Sequence, residues 1–238
     1  MPKLLEVCAA TLDDVQAARE GGADRIELNM ALEVGGLTPT LPLFSKARGI
    51  FPGEILTMVR PRSGDFFYSA DERQLLVDDA KALIDAGTDG IVFGGLRPYG
   101  TLDLDLIRSV RNLCGKRLCV FHRAIDLVDD WHAALRQLAD SGVDRVLTSG
   151  QQATAMDGRK CLREMVEAMV GTPLQIVAGS GVSVENLPVL IRETGCQQFH
   201  GTFSRLIPEQ CDGPVQLGQQ RRTQVDLVAA AKKILVAA

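Results

Sequence analysis

Glu6 and Glu27 sit inside the apolar runs KLLEVCA and RIELNM, where a carboxylate is costly to bury without a partner or a ligand. Alternation along an extended chain decides where they point. Ile26, Leu28 and Met30 share one face of the second run, so Glu27 and Asn29 lie on the other; Leu5 and Val7 do the same for Glu6 and Cys8. Further along, Arg60 and Arg62 leave an apolar run in VRPRSGDFFYS (59–69), His122 and Arg123 close another with Asp126 just beyond, and His200 ends a third. A carboxylate in an enclosed site, or a histidine flanked by arginine, has a pKa that burial and neighbours can tune toward neutrality, as general acid–base chemistry needs. Glu6, Glu27, Arg60, His122, Arg123 and Asp126 are therefore the candidate catalytic residues. A structural reading stands beside this one: hydrogen-bonded core histidines, and Glu6 and Glu27 paired with Arg60, Arg62 or Arg123 to order the interior.

A second chemistry is anion binding. In AGSGVSVEN (178–186), Gly179, Ser180 and Gly181 precede a helix opened by Ser183. Small residues let backbone amides approach an anion, and a helix N-terminus adds partial positive charge. Thr148-Ser149-Gly150 forms a similar small turn. Arg62, Ser149, Gly179, Ser180, Gly181 and His200 make the candidate anion-binding set, although a plain tight turn also accounts for the glycines.

The elements that must position these residues are written as a repeat. AAREGGADRIEL, ALIDAGTDGIVF, QLADSGVDRVLT and the degraded LIRETGCQQFHG each run from a helical pattern through glycine into an apolar strand. Eight apolar runs, at 3–9, 25–30, 54–60, 90–94, 117–123, 145–149, 174–178 and 198–202, predict strands. Helical patterns follow them at 11–21, 40–50, 71–86, 103–114, 129–141, 157–170, 183–194 and 223–236. Eight βα units in series predict a single-domain (βα)8 barrel over residues 1–238, with a doubly wound open sheet as the alternative. Function in such a barrel collects at the C-terminal ends of the strands, which is where the residues above fall. Residues 203–222 read as a long irregular loop before the last helix. Phe66, Phe67 and Tyr68 form an aromatic cluster at the rim that suits a lid or a subunit contact, and self-association is expected.

Composition narrows the partners. The chain has 238 residues and a net charge of −4, with 46% hydrophobic and 24% charged residues mixed along its length. Without a basic stripe, neither nucleic acid nor a membrane surface is an expected partner. The N-terminal MPKLLEVCAATLDD does not read as a signal peptide, and no apolar run approaches a membrane span. A cytoplasmic protein with reduced thiols is expected. The six cysteines, at 8, 114, 119, 161, 196 and 211, form no CxxC pair or Cys/His cluster of the structural zinc kind.

The motifs EVC (6–8), GADRIEL (22–28), GGLTP (35–39), VRPRSGDFFYS (59–69), FHRAID (121–126), RVLTSG (145–150), AGSGV (178–182) and FHGT (199–202) together resemble the CutC copper homeostasis family. That resemblance covers the chain to about residue 205. It implies a (βα)8 barrel, a cytoplasmic location, self-association and an association with copper handling, with copper as a candidate cofactor, but no established reaction. By position the family's strand-1 cysteine is Cys8, which becomes a candidate copper ligand, whereas the cysteine often found at the end of strand 2 is Asn29 here. Cu(I) favours soft sulfur ligands, so losing that pair leaves Cys8 to find help from Cys119, Met30 or Met58. Two functions follow: copper binding, or acid–base catalysis on a small anionic, phosphorylated molecule.

Overall fold

Side-chain caps set where the helices begin. Thr11 and Asp14 form a reciprocal capping box at the start of one helix and Ser69 and Glu72 at another, while Asp103 and Asp130 accept from backbone amides at two more. At the helix ends, the glycine of each repeat copy (Gly22, Gly87, Gly142 and Gly195) takes a positive φ. That conformation reverses the chain toward the next strand at no Cβ cost.

The computed structural model describes residues 3–207 and 220–238. Eight strands result: β1 Leu4–Ala9, β2 Arg25–Leu28, β3 Glu54–Met58, β4 Gly90–Phe93, β5 Leu118–Phe121, β6 Arg145–Thr148, β7 Gln175–Ala178 and β8 Gln198–Gly201. Eight helices follow them in turn: α1 Leu12–Glu20, α2 Leu41–Ile50, α3 Ala70–Asp85, α4 Leu104–Cys114, α5 Trp131–Asp140, α6 Arg159–Ala168, α7 Leu187–Thr194 and α8 Val225–Ala237. Each strand pairs in parallel with its sequence neighbours, and β8 closes on β1. The ring is a (βα)8 barrel, and the open-sheet alternative is excluded.

Two apolar layers hold it. The large one lies between strands and helices and includes Leu5, Val7, Ile26, Leu28, Ile55, Phe93, Phe121 and Phe199. The small one lies within the ring, where Leu56, Met58, Val92 and Val120 meet from β3, β4 and β5. β1, β2 and β8 place Glu6, Arg25, Glu27, Gln198 and His200, all buried, on the equivalent face.

Some boundaries differ from the sequence reading. Leu96–Arg97 and Thr101–Leu102 pair antiparallel, as do Ser204–Ile207 and Gln220–Thr223. The flanks of the expected irregular loop are thus a ribbon, while its middle, with Pro208, Cys211 and Pro214, lies outside the described residues. Helix α7 starts at Leu187 rather than Ser183. The Asn186 side chain accepts from the Ser183 amide and donates to the Gly181 carbonyl, closing a turn, and Pro188 then suits the first helical turn.

Candidate functional site

Register brings the polar residues together. In the β1–β8 ladder Glu6 stands opposite His200, and in the β1–β2 ladder Cys8 stands opposite Glu27. His200 Nδ1 donates to Glu6 Oε1 at 2.7 Å and lies 4.0 Å from Glu27 Oε2. Asn29 Nδ2 reaches Glu27 Oε1 at 2.9 Å and Cys8 Sγ at 3.3 Å, and the Cys8 thiol faces Glu27 Oε1 at 3.9 Å. One ligand atom each from Cys8, Glu27 and His200 falls within 4.8 Å of the others. Glu27 Oε2 and Asn29 Oδ1 are buried without a hydrogen-bond partner among the described residues.

Beneath this cluster lies Arg25, fully buried, which donates through Nε to Glu6 and through Nη2 to Gln198 Oε1 at 2.8 Å. The expected pairing of Glu6 and Glu27 with Arg60, Arg62 or Arg123 is therefore not what the interior uses. Arg25 and Gln198 went unread in the sequence, although the signal was present: each precedes a recognised interior residue, Glu27 or His200, by two positions, which puts it on the same strand face.

Burial raises the Glu6 carboxyl, but Arg25 and then His200 outweigh it and hold the group down at about 2. Glu27, a few ångströms away, is pushed up by burial and by Glu6, against the pull of His200. Burial disfavours the His200 cation, yet Glu27, Cys8 and Glu6 together lift its pKa well above 6.5. The Cys8 thiol is pushed up to about 11, mainly by burial. Arg25 and His200 thus hold Glu6 ionised, while Glu27 is shifted the opposite way and the Cys8 thiol stays protonated.

The other half of the mouth is built differently. His122, two residues past the inward Val120, accepts the Ala124 amide at Nδ1 (3.2 Å), and its ring packs 4.5 Å from Phe66. Burial, helped by the Arg60 charge, lowers its pKa to about 3, so it is a neutral imidazole carrying its proton on Nε2. Arg60 is a clamp: Nη1 donates to the Val34 and Gly36 carbonyls (3.0 and 3.1 Å) and Nη2 to that of Gly64 (2.7 Å), tying the β2 and β3 exit loops together. Arg62 is half-exposed and held by Glu72, Asp65 and the Phe67 carbonyl. Asp126 accepts from Thr148 Oγ, from the Ser149 and Gln151 amides, from Ser149 Oγ and from Arg123 Nε, so Arg123, Asp126 and Ser149 form one closed network over the β6 exit.

Gly179 serves close packing: a Cβ there would lie 2.5 Å from Leu147 Cδ1 and 3.5 Å from the His200 Cβ. Ser180 has φ +74 and donates to the Ala153 carbonyl at 2.8 Å, and Gly181 has φ +69 beside it. Of the candidate copper helpers, Cys119 belongs to the layer facing the helices, while Met58 is inside the ring. Of the aromatic cluster, Tyr68 turns inward and only Phe67 is exposed.

Sequence comparison fits this geometry. The model of the CutC family matches residues 3–205. This chain belongs to the CutC family. A CutC family protein of Treponema denticola is 41% identical over 196 residues, covering 82% of this chain and 79% of that protein. A copper homeostasis protein cutC homolog of Caenorhabditis elegans is 38% identical over 201 residues, 84% of this chain and 80% of its own. Among solved structures, the CutC protein of Streptococcus agalactiae superposes with a TM-score of 0.79 at 28% identity, covering 84% of this chain and 98% of that one. The CutC match takes in all eight strands, the first seven helices and the polar cluster, and stops within the strand Ser204–Ile207. No helix among the described residues is long and apolar enough to cross a membrane.

Proposed function

We propose that this CutC barrel handles copper by taking one ion at its mouth, between the Cys8 sulfur, a Glu27 oxygen and a His200 nitrogen. The observation that carries this reading is the meeting of those three donor types within 4.8 Å in a buried setting. One thiolate, one imidazole and one carboxylate suit a borderline ion such as Cu(II), whereas Cu(I) would draw on Cys8 alone, with Asn29 where the second sulfur would stand. Glu6 would orient His200 through its hydrogen bond, the usual outer partner of a ligating imidazole. Binding must expel the thiol proton and the imidazolium proton, so copper competes with protons here. A cytoplasmic, self-associating protein completes the proposal; sedimentation of the purified chain, with Phe67→Ser as comparison, checks the association.

The test is competitive titration with Cu(II) and Cu(I) against chelators of known affinity. Cys8→Ser and Glu27→Gln should each weaken Cu(II) by about tenfold or more, as loss of one ligand implies. Equal affinity in wild type and both variants would discard the site.

Acid–base catalysis on a small anionic molecule is the second reading, and one observation favours it: neighbouring carboxylates with opposite shifts, Glu6 down and Glu27 up. Environments that push two titratable groups apart are how acid and base roles are divided. Glu27, with Oε2 unengaged, would then move the proton, and Glu27→Gln would abolish turnover while leaving ligand binding in place.

A further inference from the structure

Three hydrogen-bond donors are buried at the β3 and β5 exits with nothing to donate to. Arg60 Nε, Tyr68 Oη and His122 Nε2 all lack a partner among the described residues, and the three residues are 5%, 7% and 3% exposed. Arg60 links the other two, since its charge acts on both the Tyr68 hydroxyl and the His122 imidazole. The Arg60 guanidinium carbon sits 5.0 Å from the centre of the Phe66 ring, and the His122 ring 4.5 Å from it. Arg60 also approaches the Tyr68 hydroxyl closely enough to oppose the rise that burial causes there, without aligning a hydrogen bond to it. Gly94 carries the His122 ring, since a Cβ there would collide with His122 Cε1, and Gly95 beside it is in ordinary contact with Tyr68.

The types of the atoms matter more than their number. Arginine Nε can only donate; His122 Nε2 must carry the proton because Nδ1 already accepts from the Ala124 amide; the Tyr68 hydroxyl can donate as well. Buried polar groups in folded proteins are almost always paired, so three orphaned donors grouped about Arg60 point to a missing acceptor. Its charge is also indicated, since Arg60 and Arg123 are the charged groups acting on His122 and no carboxylate contacts Arg60 Nε or His122 Nε2.

We propose that Arg60, Tyr68 and His122 form an oxyanion pocket beneath the segment 61–69, which receives a carboxylate or phosphate oxygen of a small molecule. His122 acts in it as a fixed neutral donor and not as a proton carrier. The Phe66 ring and the Gly94 backbone hold the imidazole in place, and the Arg60 clamp on the Gly64 carbonyl holds the segment down. This pocket uses donors that the Cys8–Glu27–His200 cluster does not. It gives the acid–base reading a place for its substrate's anionic group, but it rests on the donors alone and is measured by binding without turnover, so the two can fail separately.

The experiment titrates the full chain, labelled with 15N-histidine, with inorganic phosphate and with malonate, using chloride at matched ionic strength as control. The expected result is a saturable shift of the His122 Nε2–H resonance with at least one of the two anions, and a rise in melting temperature at the same concentrations. Which anion is tighter separates phosphate from carboxylate recognition. Tyr68→Phe should leave the melting temperature of the free protein unchanged or higher, because it removes an unpaired hydroxyl, and should weaken the anion by about tenfold. Cys8→Ser should leave the anion response intact. The pocket is overturned if neither anion moves the His122 signal beyond the chloride control, if Tyr68→Phe binds as tightly as wild type, or if Cys8→Ser removes the response. Destabilisation of the free protein by Tyr68→Phe would also overturn it, since the hydroxyl would then have a partner already.

Discussion

The interior of the ring has two unlike halves. On β3, β4 and β5 the buried inward side chains are Leu56, Met58, Val92 and Val120, which pack on one another, while the exposed Glu54 at the start of β3 lies 3.7 Å from Arg25. On β1, β2 and β8 the equivalent positions carry Glu6, Arg25, Glu27, Gln198 and His200, each committed to its neighbours by hydrogen bonds or charge. The apolar half tolerates any filler of the right volume, because dispersion and exclusion of water are non-directional. The polar half tolerates almost none, because each buried charge there is stable only through a specific partner. The same backbone thus holds a half selected for packing and a half selected for pairing, and chemistry belongs to the second.

That contrast can be broken by experiment. Arg25→Met strips Glu6 of its guanidinium, and we expect a loss of about 3–5 kcal/mol in denaturant unfolding. Adding Glu6→Gln should recover part of it; strict additivity of the two would mean the polar half is not a coupled unit.

A pH series addresses His122, at the upper edge of the apolar half. Its folded pKa is depressed to about 3, while an unfolded histidine takes a proton below about 6.5. The unfolded state therefore binds more protons between these values, so stability falls as pH drops from about 6.5 toward 3, by up to about 1.4 kcal/mol per unit. His122→Phe should flatten the upper part of that limb, above the range where carboxylates titrate. An unchanged profile would mean the imidazole is solvated.

Val92→Thr is a milder probe, placing a hydroxyl among atoms that cannot bond it. We expect about 1–3 kcal/mol of destabilisation, and a smaller cost would show that the apolar half admits water.

Copper affinity sharpens the other side. With the Cys8 thiol pushed up to about 11, apparent Cu(II) affinity should rise by about tenfold or more per pH unit near neutrality. Finally, Asn29→Cys should tighten Cu(I) by about tenfold or more, as a second thiolate beside Cys8 implies, while costing about 1–3 kcal/mol of stability because Glu27 loses its Asn29 donor. No gain would indicate that the two positions cannot share an ion.

Much of this was legible in the chain. The repeated helix–glycine–strand pattern specified eight βα units, and period-two alternation placed Glu6, Cys8, Glu27 and Asn29 on the inner face. Those are local properties. Arg60, Arg62 and Asp126 were read as chemistry from their types and their place at strand ends. The structure shows them spending most of their hydrogen bonds on loop carbonyls and amides, because a short βα loop must satisfy its own backbone first. Ser183 read as a helix cap because serine usually is one, yet Asn186 and Pro188 moved the start.

By itself the sequence determined which elements form, in what order, and which face of each strand turns inward, since propensity, capping and alternation act over a few neighbouring residues. Tertiary structure alone decided which inward residues meet. The pairing of Glu6 with His200 joins positions 194 residues apart, and it exists only because the last strand closes on the first. The partner of Glu6 was Arg25 rather than a more distant arginine for the same reason: ladder register, not residue type, sets who is within reach of a buried charge.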